Sequence, residues 1–138
     1  METEIFHLNL ISPLRCVPQK GADPFNYQGG PELIFCFELD KKERLSFEPD
    51  GKKLLGNLIF GGQAGAGDGE LPGGNYLFAQ KREVLRKEDI IALAVEIQME
   101  ALWQRRQPGE MLYLRYLFED GSPVTQLFRP VRGLAEQR

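Results

Sequence analysis

The chain has 138 residues, 42% hydrophobic and 27% charged, with 17 Lys and Arg against 20 Asp and Glu for a net charge of −3. That length is the usual size of one domain and buries roughly two thirds of the surface its unfolded form exposes, enough for a core without staples. Lys81, Arg82, Arg86 and Lys87 are interleaved with Glu83, Glu88 and Asp89. The chain therefore has no basic field to attract nucleic acid directly, and no stretch approaches the roughly 20 apolar residues of a membrane span.

At the start, "METEIFHLNLISPL" carries Glu2 and Glu4 where a secretory signal needs positive charge, and His7 and Asn9 interrupt its apolar run. A cytoplasmic location is the expectation. Residues 4–11 read as a strand that leaves into the loop "SPLRCVP", and residues 21–31, "GADPFNYQGGP", are turn chemistry. Residues 32–40 alternate Leu33, Phe35, Phe37 and Leu39 against Ile34, Cys36 and Glu38, the period of a strand with one strongly apolar face. Residues 44–49 suggest a short strand before a turn at Asp50 and Gly51, and residues 54–62 resume extended structure. Residues 1–60 thus read as a mostly β half.

The segment 58–80, "LIFGGQAGAGDGELPGGNYLFAQ", has the glycine density of a phosphate cradle. Its spacing is wrong for a dinucleotide fingerprint, carboxylates Asp68 and Glu70 sit among the glycines, and a strand follows where a helix N-terminus would hold phosphate. Residues 61–74 are therefore expected to be a flexible connection, and no cofactor is expected. Residues 74–82 form a strand on which Tyr76, Phe78 and Gln80 share one side.

Residues 86–106 form the one principal helix. Ile90, Ala94, Ile97 and Ala101 repeat at helical spacing, Glu88 and Asp89 suit the N-terminal dipole, and Arg105 and Arg106 suit the C-terminal one before Pro108 and Gly109. Residues 110–120 and 123–131 make a hairpin through "DGSP", and residues 132–138 are expected to fray. Residues 75–131 are a β-α-β-β half, and the whole is an α+β domain, one helix on a mostly antiparallel sheet.

Catalytic chemistry is sparse. His7 is the single histidine, no G-x-S-x-G elbow surrounds a serine, and no cluster offers metal-ligand spacing. Glu96 and Glu100 share a helical face as a solvated edge, and Cys16 and Cys36 form no C-x-x-C, so both read as reduced filler. No catalytic or metal residue is assigned.

The order of motifs from residue 71 onward carries a resemblance. Pro72, Gly74 and Tyr76 open a strand, a helix ends near Trp103, Leu114, Arg115 and Tyr116 sit in the next strand, and Pro130 and Val131 close the last. This resembles the second half of the gyrase-inhibitor-like small-molecule effector-binding family. The resemblance implies a duplicated β-α-β-β fold and a ligand cleft. The family's pocket glutamate falls on Leu114, which implies a neutral or anionic guest rather than a cation.

On strand 110–120, Leu112, Leu114, Tyr116 and Phe118 make the apolar face and Tyr113 and Arg115 the mixed one. If the helix covers the first, Tyr113 and Arg115 line the cleft. The expected ligand site is then Tyr76, Phe78, Trp103, Tyr113, Arg115 and Tyr116, aromatic walls with a few convergent polar groups. The expected function is non-catalytic, regulatory binding of a small, largely apolar neutral or anionic molecule, any regulatory effect passing through a partner chain. Two alternatives stand beside it: a hydrolase using the same cleft through a carboxylate and a tyrosine, and a protein-interaction module docking a partner on an exposed edge or apolar patch. The sequence pattern assigns no oligomeric state.

Overall fold

The computed structural model describes residues 4–27, 29–39 and 57–134. The strand expected over 44–49 lies outside them. Nine strands and one long helix are described: β1 (Phe6–Leu10), β2 (Leu14–Pro18), β3 (Leu33–Glu38), β4 (Asn57–Ala64), β5 (Gly69–Leu71), β6 (Gly74–Lys81), α1 (Lys87–Trp103), β7 (Arg106–Pro108), β8 (Met111–Glu119) and β9 (Ser122–Leu134). The protein is α+β, one helix against a mostly antiparallel sheet ordered β1-β6-β9-β8-β3-β4-β2-β5, with β7 paired to β9 off this path.

Two strands fall where the glycine-rich connection was expected. β4 runs on to Ala64 and β5 begins at Gly69. Their register explains the glycines. β2 pairs β4 (Cys16 opposite Ala64) and β5 (Cys16 opposite Gly69), so Cys16 has glycine-rich backbone on both sides. A Cβ on Gly62 would overlap the Val17 carbonyl, one on Gly67 the Cys16 carbonyl, and one on Gly69 would lie 2.6 Å from the Cys16 sulfur. Close packing, not freedom, selects glycine here.

The short strands also close the architecture. β1 pairs β6 down to Leu10 opposite Gly74, and β2 pairs β5 from Leu14 opposite Leu71, with three residues between β1 and β2 and two between β5 and β6. Both pairings run antiparallel in nearly one register, so they form a single two-stranded ribbon with a bend at Pro13 and Pro72. One end of the ribbon joins β9 through β6, and the other joins β4 through β2. The sheet curls accordingly into a barrel-like shell. Sequence alone missed β2 because a five-residue run flanked by Pro13 and ending in Pro18 gives little strand signal.

Strand alternation divides the core in two. The outer face of the sheet, including Phe35, Phe37, Leu77, Leu112, Leu114, Tyr116 and Leu127, packs against Ile90, Leu93, Ala94, Ile97 and Ala101 of α1. The inner face packs Cys36, Leu71, Tyr76, Tyr113 and Phe128 among Leu8, Leu10, Leu14 and Phe60.

The helix starts and stops differently from its expected bounds by a few residues. It ends at Trp103 because Arg105 takes a left-handed backbone (φ 59), leaving no basic residue in the last turn, and Arg106 enters β7. Asp120 and Gly121, with φ of 53 and 77, form the two-residue turn between β8 and β9, whose positive angles match the strand twist. β9 continues to Leu134, three residues into the tail expected to fray; residues 135–138 are outside the described set.

Candidate functional site

The six residues expected to meet are placed in three different surroundings. Tyr76 on β6 and Tyr113 on β8 do share the inner face, edge to face at 6.2 Å, but they are 2% and 5% exposed. Phe128 lies opposite Tyr113 in the register and 6.0 Å from Tyr76, and the leucines of β1 and β2 complete the packing. The amino-terminal strands thus fill the space where an open aromatic cleft was expected. Side chains fill the interior of small barrels in the same way, although this curled sheet stays open at β1. Phe78, half-buried, continues the row at 4.9 Å from Phe128 and 6.5 Å from Phe6.

Arg115 faces inward as alternation requires, further along the same face. Its Nε donates to Glu32 Oε2 at 2.6 Å and its Nη1 to Gln126 Oε1 at 3.2 Å, while Gln126 Nε2 donates to Gln80 Oε1 at 3.0 Å. The result is a polar ladder across four neighbouring segments. The Arg115 side chain is 21% exposed and its charge is already answered by Glu32, so it is not an open receptor for an anion. Tyr116 points to the other face of the sheet. It is fully buried, stacks on Tyr27 at 4.6 Å and donates to the Pro24 carbonyl at 2.6 Å, which fastens the 21–27 loop to the core.

Two more tyrosine hydroxyls are likewise spent inside the fold. Tyr76 donates to the Pro72 carbonyl, and Tyr27 to the carbonyls of Gly30 and Pro31. Burial pushes the Tyr76 phenol up to about 12 and raises Tyr113 and Tyr116 as well. These are neutral, packed groups. Among the described residues no group of three or more His, Cys, Asp and Glu could hold a metal ion, and no helix is long and apolar enough to cross a membrane.

Cys16 and Cys36 are both buried, and the Cys36 sulfur lies 3.9 Å from that of Met111. Burial pushes the Cys36 thiol from its ordinary 9.0 up to about 11. Below pH 9 it is protonated in both folded and unfolded chains. Between 9 and 11 only the unfolded chain releases the proton, so stability falls as pH rises through that window. Urea midpoints measured in steps from about pH 8 to about pH 11 should decline, and Cys36→Ala should decline less steeply. A flat series would mean that the thiol is not shielded.

Open space lies on the helix side. A groove of about 390 Å³ is lined by Ile5, Val95, Glu96, Met99, Glu100 and Trp103. Trp103, the last residue of α1, is 84% exposed, and Met99 one turn earlier is 45% exposed. Val95 and Met99 fall four residues apart and therefore share a helix face, with Ile5 opposite at the head of β1. Glu100 is engaged by Gln104 Nε2 at 2.6 Å, and Arg106 Nε holds Gln104 Oε1 at 3.0 Å, which orders the rim. Glu96 belongs also to a second, more polar cleft of about 260 Å³ with Lys81, Glu83 and Asp89.

No family model, curated protein or solved structure matches this chain.

Of the six residues named from the sequence, then, Trp103 borders this groove. Ile5, Val95 and Met99 were missed because the groove depends on where the amino terminus lies against α1. Sequence reasoning also missed Arg129, 1% exposed, whose Nε donates to the Gly109 carbonyl at 2.9 Å and Nη1 to Gln98 Oε1 at 3.0 Å. Its signal was available: Arg129 shares strand parity with Leu127 and Val131, both core residues.

Proposed function

We propose that this protein is a non-catalytic binding domain for a small, largely apolar molecule, taken up in the groove beside Trp103. One observation carries the reading: an indole left 84% in water at the lip of a groove of about 390 Å³ whose floor is Val95, Met99 and Ile5. Large exposed aromatic surface is costly in water, and covering it supplies about 25 cal/mol for each Å² removed. That volume suits a small organic guest. Among the described residues, the charged groups lining the groove are the carboxylates Glu96 and Glu100. They disfavour an anion, so the guest we propose is neutral or cationic, whereas the sequence pointed to a neutral or anionic one. The motif order from Pro72 to Val131, which resembles a small-molecule effector-binding family, supports the same functional class.

Trp103 is the chain's single tryptophan, so its emission reports the groove without a label. A library screened by thermal shift should yield compounds that also move that emission to shorter wavelength on titration. A ligand at one hundred times its Kd adds about 2.7 kcal/mol of stability. Trp103→Ala should change the stability of the free protein by less than about 0.5 kcal/mol, as for an exposed site, and should abolish the ligand-induced shift. Hits that leave the emission unchanged, or that stabilise Trp103→Ala as much as the parent, would refute this site. Leu102, 39% exposed beside Trp103, extends the apolar surface beyond the groove. It favours a protein partner as the second reading, which a screen without hits would select.

A further inference from the structure

β1 ends the sheet on one side: among the described residues its ladder partner is β6 alone, and its other edge is unpaired. Unpaired edges are normally blunted by a lysine, a proline, a bulge or brevity. The opposite end of the order uses brevity, since β5 has three residues. β1 uses none of these devices. Residues 5–11 read "IFHLNLI", with no charged residue and no proline, and the β1–β6 register runs unbroken from Phe6 opposite Phe78 to Leu10 opposite Gly74.

The same seven residues are a palindrome in hydropathy centred on Leu8: two apolar, polar, apolar, polar, two apolar. Antiparallel pairing of a strand with its own copy places position 8−n opposite 8+n. Ile5 then faces Ile11, Phe6 faces Leu10, His7 faces Asn9 and Leu8 faces itself, every pair matched in polarity and none carrying two like charges. Alternation sends Phe6, Leu8 and Leu10 to one face and His7 and Asn9 to the other, so both rows remain matched across the junction. The two ends of the run are also where apolar surface is left in water, Phe6 at 47% and Ile11 at 91% exposed.

We propose that residues 5–11 pair antiparallel with the same residues of a second copy of this chain, about a two-fold axis through Leu8. Sheet order then continues from one protomer into its partner through β1. The contact is self-complementary and uses up both free edges, so assembly closes at two chains. A five-residue strand with one flanking residue at each end is at the small end of specific contacts, which sets the expected dissociation constant in the micromolar range.

Sedimentation of the full chain from micromolar to millimolar concentration should show the mass rising from 15.7 kDa toward twice that value. His7→Lys with Asn9→Lys, both at exposed positions, opposes like charges twice across the axis and should hold the chain at the single mass over the whole range. His7→Lys with Asn9→Asp opposes unlike charges in the same pairs and should restore the doubled mass. Circular dichroism of both pairs of substitutions should match the parent. As a test of register independent of charge, Leu8→Cys should give a disulfide-linked dimer on mild oxidation, because directly opposed residues of an antiparallel pair approach within disulfide reach. A single mass at every concentration overturns the proposal. So does a dimer indifferent to both charge pairs, or a Leu8→Cys chain that forms no covalent dimer.

Discussion

Replacing Gly62 with alanine should lower stability by about 3 kcal/mol or more, at or above the upper end of ordinary overpacking. The reason lies in what a Cβ would meet. Gly62 sits in β4 opposite Ile34 of β3 on one side and Pro18 of β2 on the other. The nearest atoms to an added carbon belong to the main chain of Val17 and Pro18, and main chain held in a ladder cannot swing aside as a side-chain tip can. Relief would require β2 to separate from β4, and that pairing is one of the two ends by which the bent ribbon closes the sheet. A flexible joint predicts the opposite sign: in a loop without such contacts, Gly→Ala stabilises by about 0.4–1 kcal/mol through the unfolded chain. Urea denaturation of Gly62→Ala therefore separates the two accounts of the glycine-rich segment, and an unchanged or raised midpoint would restore the flexible one. Gly69→Ala should be milder, since its neighbours are the Cys16 sulfur and the Phe60 ring, both side-chain atoms.

What the sequence discloses here follows the range of the interaction. Period-two alternation on β8 put Leu112, Leu114 and Tyr116 on one face and Tyr113 and Arg115 on the other, with the helix side left conditional, and the structure has this parity, because it is fixed locally by the strand. The helical stripe from Ile90 to Ala101 was legible for the same reason. Neither pattern says what covers the second face of the sheet. That depends on Leu14 meeting Leu71, a pairing between strands of five and three residues, each too short and too rich in glycine or proline to announce itself. Arg115 was legible as an inward cation, but its partner Glu32 is 83 residues away in the chain. Trp103 was named for a cleft on the wrong side of the sheet. The helix stops three residues before the expected end at Arg106, through a left-handed arginine where glycine or asparagine is the usual signal, and this leaves the indole at the rim of the helix-side groove.

Phe128→Ala should cost about 3–5 kcal/mol, the range for emptying a large aromatic from a core that relaxes only in part. Phe128 is 2% exposed on β9, the strand held between β6 and β8. Its ring lies 6.0 Å from Tyr76 at 80° and 4.9 Å from Phe78, and Tyr113 faces it across the ladder. One neighbour has little freedom to collapse into the gap, since the Tyr76 hydroxyl is fixed on the Pro72 carbonyl, and the Phe78 backbone stays in its ladder opposite Phe6. The melting temperature should accordingly fall by roughly 10 °C or more. The hole would be dry, lined by rings, and able to take a small aromatic such as benzene or indole, as apolar engineered cavities do. Such a compound should therefore raise the melting temperature of Phe128→Ala by more than that of the parent, in which the groove beside Trp103 is the site we propose for it. Equal rises in the parent and the variant would show that removing the Phe128 ring opens no cavity of its own. A variant losing less than about 1 kcal/mol would show that the aromatic row is not the packed interior that sets this fold.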